Sequence, residues 1–134
     1  MKGSYIVVIY LPENACIQIG ALGEISFDKG HYLYIGSAMA KIGPNTLENR
    51  IRRHVSEHNN KKLFWHIDYL LASKISLVTM IYLIPTIFRL ECIISKEISE
   101  VSDNHIKDFG SSDCFCPSHL YYFKDFQGIE DFSN

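Results

Sequence analysis

The hydrophobic pattern of this chain changes along its length, from alternating and continuous apolar runs to helical spacing. Apolar and aromatic residues dominate positions 3–11, 15–20, 22–27 and 31–37, and turn residues separate these runs. Such runs are typical of strands. We expect the second run to pair with the first as an N-terminal antiparallel pair, and Asp28-Lys29-Gly30 to form a hairpin turn into the fourth run.

The spacing becomes helical after the break at residues 43–46. Leu47, Ile51 and Val55 repeat every four residues, and Asn45 or Thr46 can cap the helix that they predict. A second short helix is expected over 64–73, a buried strand over 75–84, and a third helix beyond Pro85. A loop and a last strand near 120–123 complete the prediction.

These elements predict a single small α/β (α+β) domain, mainly an antiparallel sheet flanked by helices. We place the domain at residues 1–123 and a polar C-terminal tail at 124–134. The chain has 134 residues, of which 47% are hydrophobic and 21% charged, which suits one folded domain.

The charge balance limits the function classes. A net charge of -2 gives no overall signature of nucleic-acid binding, so such binding would depend on a local patch. One basic segment exists at 48–62, where five of the thirteen Lys and Arg residues lie. The early apolar run ends at Pro12 without a cleavage site, and the later one is too short to span a bilayer, so we expect a cytoplasmic protein with no membrane partner.

Several short motifs follow one another in a specific order. They are Gly3-Ser4-Tyr5 and Tyr34-Ile35-Gly36 on strands, Arg50 and His54 four residues apart on the first helix, and Glu91 on a later helix. Their order resembles the GIY-YIG nuclease superfamily. The longer set, including Trp65 to Leu70, Glu91-Cys92 and the segment 109–120, resembles a small prokaryotic branch usually called a domain of unknown function.

The resemblance implies a GIY-YIG-like fold and a metal-dependent endonuclease that hydrolyses phosphodiester bonds. The 28 residues between Tyr5 and Tyr34 are more than is typical of that superfamily, so we expect an extra N-terminal hairpin. It implies that Tyr5 and Tyr34 lie near the attacking water, that Arg50 contacts the phosphate, and that Glu91 holds one Mg²⁺ or Mn²⁺ ion. His54 is a further site residue. The residue types suit this chemistry, because arginine offers a fork of donors to phosphate oxygens and a carboxylate suits a hard cation.

The expected substrate is nucleic acid, DNA ahead of RNA, with a DNA repair or recombination enzyme as a candidate partner. The basic segment contributes Arg52, Arg53, Lys61 and Lys62 as nucleic-acid-binding candidates. The alternative is a module that binds nucleic acid with strong salt dependence but cleaves it weakly or not at all.

A second polar cluster is expected between the second helix and the C-terminal loop. Its candidate members are His66, Asp68, Asp113, Cys114, Cys116 and His119. These residues leave open a polar structural network, a cysteine nucleophile with His119 or His66 as base, and a zinc site completed by Cys92 or His66. The single residue between Cys114 and Cys116 is narrower than common zinc spacings and disfavours zinc, so small buried cysteines are the expected outcome.

Overall fold

A computed structural model describes residues 1–56, 63–111, 114 and 116–129. The described residues form an α+β domain with a five-stranded antiparallel sheet, a separate two-stranded hairpin and three helices, which confirms the predicted fold class. The strands are β1 (Gly3–Leu11), β2 (Ala15–Gln18), β3 (Glu24–Phe27), β4 (Gly30–Ala38), β5 (Leu77–Pro85), β6 (Asn104–His105) and β7 (Leu120–Phe123). The helices are α1 (Leu47–His54), α2 (His66–Ala72) and α3 (Glu91–Val101).

The main sheet has the order β5-β1-β4-β7-β6, with every neighbouring pair antiparallel. β1 and β4 pair along their full length, so that Tyr5 lies opposite Gly36 and Val7 opposite Tyr34. Because side chains alternate along a strand, Tyr5, Val7 and Ile9 share one face and Ile6 and Val8 the other. The first face packs against α1 and α2 and the second against α3, so the sheet has a core on each side.

The prediction of an N-terminal antiparallel pair is wrong. β2 pairs with β3, and β1 instead pairs with β4 and β5. Both edges of β1 are therefore occupied by nine-residue strands, which together bury far more apolar surface than the four-residue β2 could. The hairpin expected between the third and fourth runs is wrong for the same reason, because β4 pairs with β1 and β7.

The strand predicted over 75–84 exists as β5, but it is not buried. It lies at one edge of the main sheet, and Leu77 and Leu83 are about half exposed. A continuous apolar run indicates a strand covered on both faces only where other elements cover it. Here α3 begins only at Glu91, and the apolar residue Ile87 precedes the helix and is 74% exposed.

The helix predictions are confirmed for α1 and α2. Thr46 is the N-cap of α1, and its side chain accepts a hydrogen bond from the backbone N–H of Asn49 at 3.2 Å. The expected C-terminal tail begins by packing onto the sheet, since Phe126 is buried and the backbone N–H of Ile129 donates to the Tyr82 hydroxyl. Within the described ranges, no helix combines the length and apolar character needed to cross a bilayer.

Candidate active site

An open cleft of 690 Å³ lies where β4 ends, between the sheet, α1, α2 and the start of α3. Its polar lining brings together residues that are far apart in sequence. The lining residues are Tyr34, Gly36, Ser37, Met39, Ala40, Asn45, Arg50, Phe64, Trp65, His66, Arg89, Glu91 and Gly110. Three of the five residues that the resemblance implicates, Tyr34, Arg50 and Glu91, therefore line one cavity.

Arg50 is held in place from three sides. Its Nη1 donates to the backbone carbonyl of Ser37 at 3.4 Å, its Nη2 to Asn45 Oδ1 at 3.2 Å, and its guanidinium lies 4.1 Å from the centre of the Trp65 ring. The remaining nitrogen, Nε, is buried and has no hydrogen-bond partner among the residues that the structure describes. A buried N–H donor of this kind is costly unless a hydrogen-bond acceptor faces it.

Tyr5 and His54 lie behind the cleft rather than in it. The Tyr5 hydroxyl is 2.8 Å from His54 Nε2, and both side chains are almost fully buried. The two rings flank Tyr34, whose ring centre lies 6.4 Å from that of Tyr5 and 6.1 Å from that of His54. Tyr5 and His54 thus support the one tyrosine that reaches the cleft.

Burial keeps both tyrosines protonated. Loss of hydration raises the pKa of Tyr5 to about 12, although the Arg50 guanidinium nearby opposes the shift. The same cause raises the pKa of Tyr34 well above its ordinary value of 10.0, with the neighbouring Tyr5 adding to it and Arg50 again opposing it. Both phenols are therefore hydrogen-bond donors near neutral pH.

His66, predicted as part of the second polar cluster, instead lines the cleft. Its Nδ1 accepts a hydrogen bond from the backbone N–H of Gly110 at 2.8 Å, so Nε2 carries the proton of the neutral ring. Burial lowers the pKa of His66, and Asp108 opposes that shift, which favours the neutral form. The Trp65-His66 pair at the start of α2 is the sequence signal that makes His66 a candidate, but it does not indicate that His66 lines the cleft.

Asp68 contributes to the scaffold. Its carboxylate lies 2.7 Å from the Arg53 guanidinium and accepts the backbone N–H groups of Phe64 and Trp65 at the start of α2. Burial alone would raise the pKa of Asp68, but these hydrogen bonds outweigh it and hold the pKa below its ordinary value. Arg53, which also stacks on Trp65 at 4.3 Å, is consequently engaged with α2, whereas Arg52 is exposed beside Asn49.

Glu91 begins α3 at the edge of the cleft. One carboxylate oxygen lies 3.2 Å from Nη1 of Arg89, and the other lies 3.9 Å from Nδ1 of His119. The backbone N–H of Leu90 donates to Ser4 Oγ at 3.3 Å, which fixes this helix start to the sheet. The cleft lining thus contains two arginines, Arg50 and Arg89, and the carboxylate of Glu91, which is paired with Arg89.

The remaining members of the predicted polar cluster lie away from the cleft. The ligand atoms of Cys114, Cys116 and His119 meet those of Cys92, at the start of α3, within 4.8 Å of one another. We refer to these four residues as the Cys/His cluster. Of the two alternative fourth ligands that the sequence offers, Cys92 and His66, the fold brings Cys92 to the C-terminal loop. The expectation of small buried cysteines is wrong, because Cys92 is exposed and Cys114 and Cys116 are half-buried. Lys61, Lys62 and Asp113 lie outside the described residues.

The fold and the cleft together define a small α+β domain whose tyrosine, arginine, histidine and glutamate side chains converge at one end of the sheet. The family model described as "Domain of unknown function DUF123" matches residues 4–134, and the chain belongs to that family. No curated protein matches the chain, and neither does any solved structure.

Proposed function

We propose that this domain is a GIY-YIG-type, metal-dependent nuclease that hydrolyses phosphodiester bonds in nucleic acid, with DNA as the preferred substrate. The observation that carries the proposal is that Tyr34, Arg50, His66 and Glu91 line one open cleft. An arginine fork, neutral donors and a carboxylate are the groups that binding a phosphodiester and a hard cation requires.

Arg50 is the proposed phosphate ligand. Trp65, Ser37 and Asn45 hold its guanidinium in one orientation, so little side-chain freedom is lost when an anion binds. Nη1 and Nη2 each carry two N–H groups and use one of them for Ser37 or Asn45, so the guanidinium has a further donor for a phosphate oxygen in the cleft. The same contact would stabilise the extra negative charge that develops at phosphorus as the bond to the leaving oxygen breaks.

Tyr34 is the proposed water-orienting residue. Because burial raises its pKa well above 10.0, its phenol donates a hydrogen bond and does not act as a base at neutral pH. His66 is a second neutral donor facing the same space, with its proton on Nε2. Tyr5 and His54 act through Tyr34 by fixing its ring, so we regard them as positioning residues.

Glu91 is the residue that would hold the divalent cation. Among the described residues that line the cleft it is the only carboxylate, and Mg²⁺ is commonly bound by one or two carboxylates together with water and substrate phosphate. The donor set therefore fits Mg²⁺ or Mn²⁺, provided that Arg89 releases the carboxylate oxygen it now contacts. A bound cation would supply Lewis-acid stabilisation of charge on the phosphate oxygens.

The Arg89–Glu91 ion pair favours a second candidate function. With Arg89 on its carboxylate, Glu91 is neutralised and the cleft presents a net positive face. In this state the domain would bind nucleic acid through phosphate contacts, with strong salt dependence and no need for a divalent cation. The binding module is thus the alternative to the nuclease.

The test is cleavage of branched, nicked, single-stranded and duplex DNA and RNA with Mg²⁺ or Mn²⁺, with the wild type beside two cleft variants. We expect Arg50→Ala and Glu91→Gln each to lower the cleavage rate about 10²–10³-fold, because each removes a group that stabilises the transition state. Two variants serve as controls and should leave the cleavage rate unchanged. They are Glu97→Gln, which makes the same carboxylate-to-amide change at an exposed position of α3, and Lys124→Ala, also at an exposed position.

The outcomes separate the two functions. Cleavage that both cleft variants lose and both controls keep supports the nuclease. No cleavage of any substrate, with salt-sensitive binding that Arg50→Ala weakens and Glu91→Gln retains, supports the binding module. Cleavage that is unaffected by Glu91→Gln would remove Glu91 from the metal site.

A further inference from the structure

The Cys/His cluster lies outside the cleft, and the proposed nuclease mechanism does not use it. The Sγ atoms of Cys92, Cys114 and Cys116 and a ring nitrogen of His119 all lie within 4.8 Å of one another. The three cysteines also line a second cavity, of 420 Å³, against α3. Three thiols and one imidazole converging on one point are the donors of a soft-metal site.

Local hydrogen bonds bring the C-terminal loop to α3. Ser95, on the first turns of the helix, donates from its hydroxyl to the backbone carbonyl of Ser118 at 2.9 Å, and the Tyr121 hydroxyl reaches the same carbonyl at 2.8 Å. The backbone at His119 is also fixed, because its backbone N–H donates to the carbonyl of Phe109 at 2.8 Å. Cys92 lies one helical turn before Ser95, so these contacts set the cysteines from the loop beside it.

The orientation of His119 suits a metal ligand. Its Nε2 lies 3.4 Å from Cys114 Sγ, and its Nδ1 lies 3.9 Å from Glu91 Oε2. A histidine that binds a metal through one nitrogen commonly directs the other to a carboxylate, which fixes the ring and raises its basicity. Glu91 is in the place of that carboxylate.

We propose that Cys92, Cys114, Cys116 and His119 bind one structural zinc ion that joins the start of α3 to the C-terminal loop. Tetrahedral Zn–S bonds of about 2.3 Å require sulfur atoms about 3.8 Å apart, so the cluster contracts by about 1 Å at its widest when the ion binds. The single residue between Cys114 and Cys116 is narrower than common zinc spacings in sequence. The site does not depend on that spacing alone, because Cys92 on α3 supplies a third thiol.

The zinc site has a consequence for the cleft. Cys92 follows Glu91 directly, and His119 faces the Glu91 carboxylate, so an ion on the cluster fixes the first turn of α3 and with it the position of Glu91. Zinc content and nucleic-acid cleavage are measured separately, so the zinc site can be tested whether or not the domain cleaves nucleic acid.

The first experiment measures metal in the full chain, expressed without a polyhistidine tag and purified with reductant. We expect about one zinc per chain by mass spectrometric elemental analysis. Replacement by Co²⁺ should produce the sulfur-to-cobalt charge-transfer absorption and the intense visible bands of a tetrahedral thiolate site. In the zinc-loaded protein one thiol, Cys16, should react rapidly with a thiol reagent, and all four should react after a chelator removes zinc.

Substitutions then assign the ligands. Cys92→Ser and Cys116→Ser should each lose most of the bound zinc, whereas Cys16→Ser, at an exposed cysteine on β2, should keep it. The cobalt spectrum of the wild type is the independent measurement if a cluster variant does not fold. A wild type that binds neither Zn²⁺ nor Co²⁺, or four thiols that react equally fast with Zn²⁺ present, would overturn the proposal. Two other results would also overturn the zinc proposal. One is a disulfide bond between cluster cysteines in protein purified with reductant, and the other is full zinc content in both Cys92→Ser and Cys116→Ser.

Discussion

The Tyr5 hydroxyl on β1 lies 2.8 Å from Nε2 of His54 on α1, although the two residues are 49 positions apart in the sequence. This hydrogen bond is buried, and it joins the two side chains that flank Tyr34. The scaffold of the cleft and the stability of the fold therefore depend on the same contact.

Tyr5→Phe should lower the free energy of unfolding by about 1–3 kcal/mol, because it removes one partner of a buried hydrogen bond. Urea denaturation followed by circular dichroism measures the change. Tyr10→Phe, at a partly buried position of the same strand, is the control and should change stability by less. Equal losses in the two variants would mean that the Tyr5–His54 bond contributes little.

Gly36→Ala should be destabilising because a β-carbon at position 36 would lie 2.5 Å from the Tyr5 ring. The ring is buried and fixed by His54, so it cannot move away freely, and we expect a cost of about 1–3 kcal/mol. Gly23→Ala provides the comparison, since its β-carbon meets nothing within 4 Å and only its positive φ of 81° opposes the change. If Gly36→Ala also displaces Tyr5, it should reduce cleavage, whereas Gly23→Ala should not.

The stability of the protein should fall at high pH. Burial raises the pKa of Tyr5 to about 12, above its ordinary value of 10.0. A group whose folded pKa is raised contributes stability that is complete below its unfolded pKa and is lost as the pH rises towards the folded one. We expect the unfolding free energy to decline between about pH 10 and 12, and the decline to be smaller in Tyr5→Phe. An equal decline in that variant would contradict the role of Tyr5.

Asp68→Asn should destabilise the protein near neutral pH, by about 1–3 kcal/mol, because it removes the charge that pairs with Arg53. The pKa of Asp68 is held below its ordinary value of 3.8, so its contribution is present above that pH and is lost as the pH falls towards the folded pKa. The difference in the free energy of unfolding between Asp68→Asn and the wild type should therefore become smaller below pH 4. Asp125→Asn, at an exposed position, is the control and should change the free energy of unfolding at neutral pH by less than Asp68→Asn.

Trp65 provides an optical probe of the cleft, because it is the only tryptophan in the chain and carries Arg50 and Arg53 on its ring. A short DNA oligonucleotide without a divalent cation should change its fluorescence as phosphate binds Arg50. Arg50→Ala should weaken this binding at least several-fold, consistent with the loss of a charge-assisted contact. Lys124→Ala should not affect the titration, and an unchanged affinity in Arg50→Ala would contradict the role of Arg50 as the phosphate contact.

The strands, the helices and their approximate bounds follow from local pattern, and most of them could be predicted. The Leu47–Ile51 spacing with Thr46 before it is sufficient to predict α1, because caps and helical periodicity are local properties. Strand pairing is not local. The sequence suggests that β2 pairs with its neighbour β1, but β1 buries more apolar surface between β4 and β5, which lie further along the chain.

The candidate site was also predictable only in part. Tyr34, Arg50 and Glu91 were predicted from the order of motifs, and the cleft unites them. Other placements depend on which face each element presents after packing. Tyr5 lies behind the cleft, His66 lines it, and Asp68 pairs with Arg53. Sequence spacing alone does not contain that information.

The sequence by itself determined the α+β class, the helix and strand content, and the residue types available for phosphate and metal chemistry. These depend on composition, periodicity and capping, each of which acts over a few residues. Only the tertiary structure decided that β5 is an exposed edge, that His66 and Arg50 share a cavity, and that Cys92 meets Cys114, Cys116 and His119. Those relationships arise from packing between elements far apart in the chain, where the competition among alternative burials selects one arrangement.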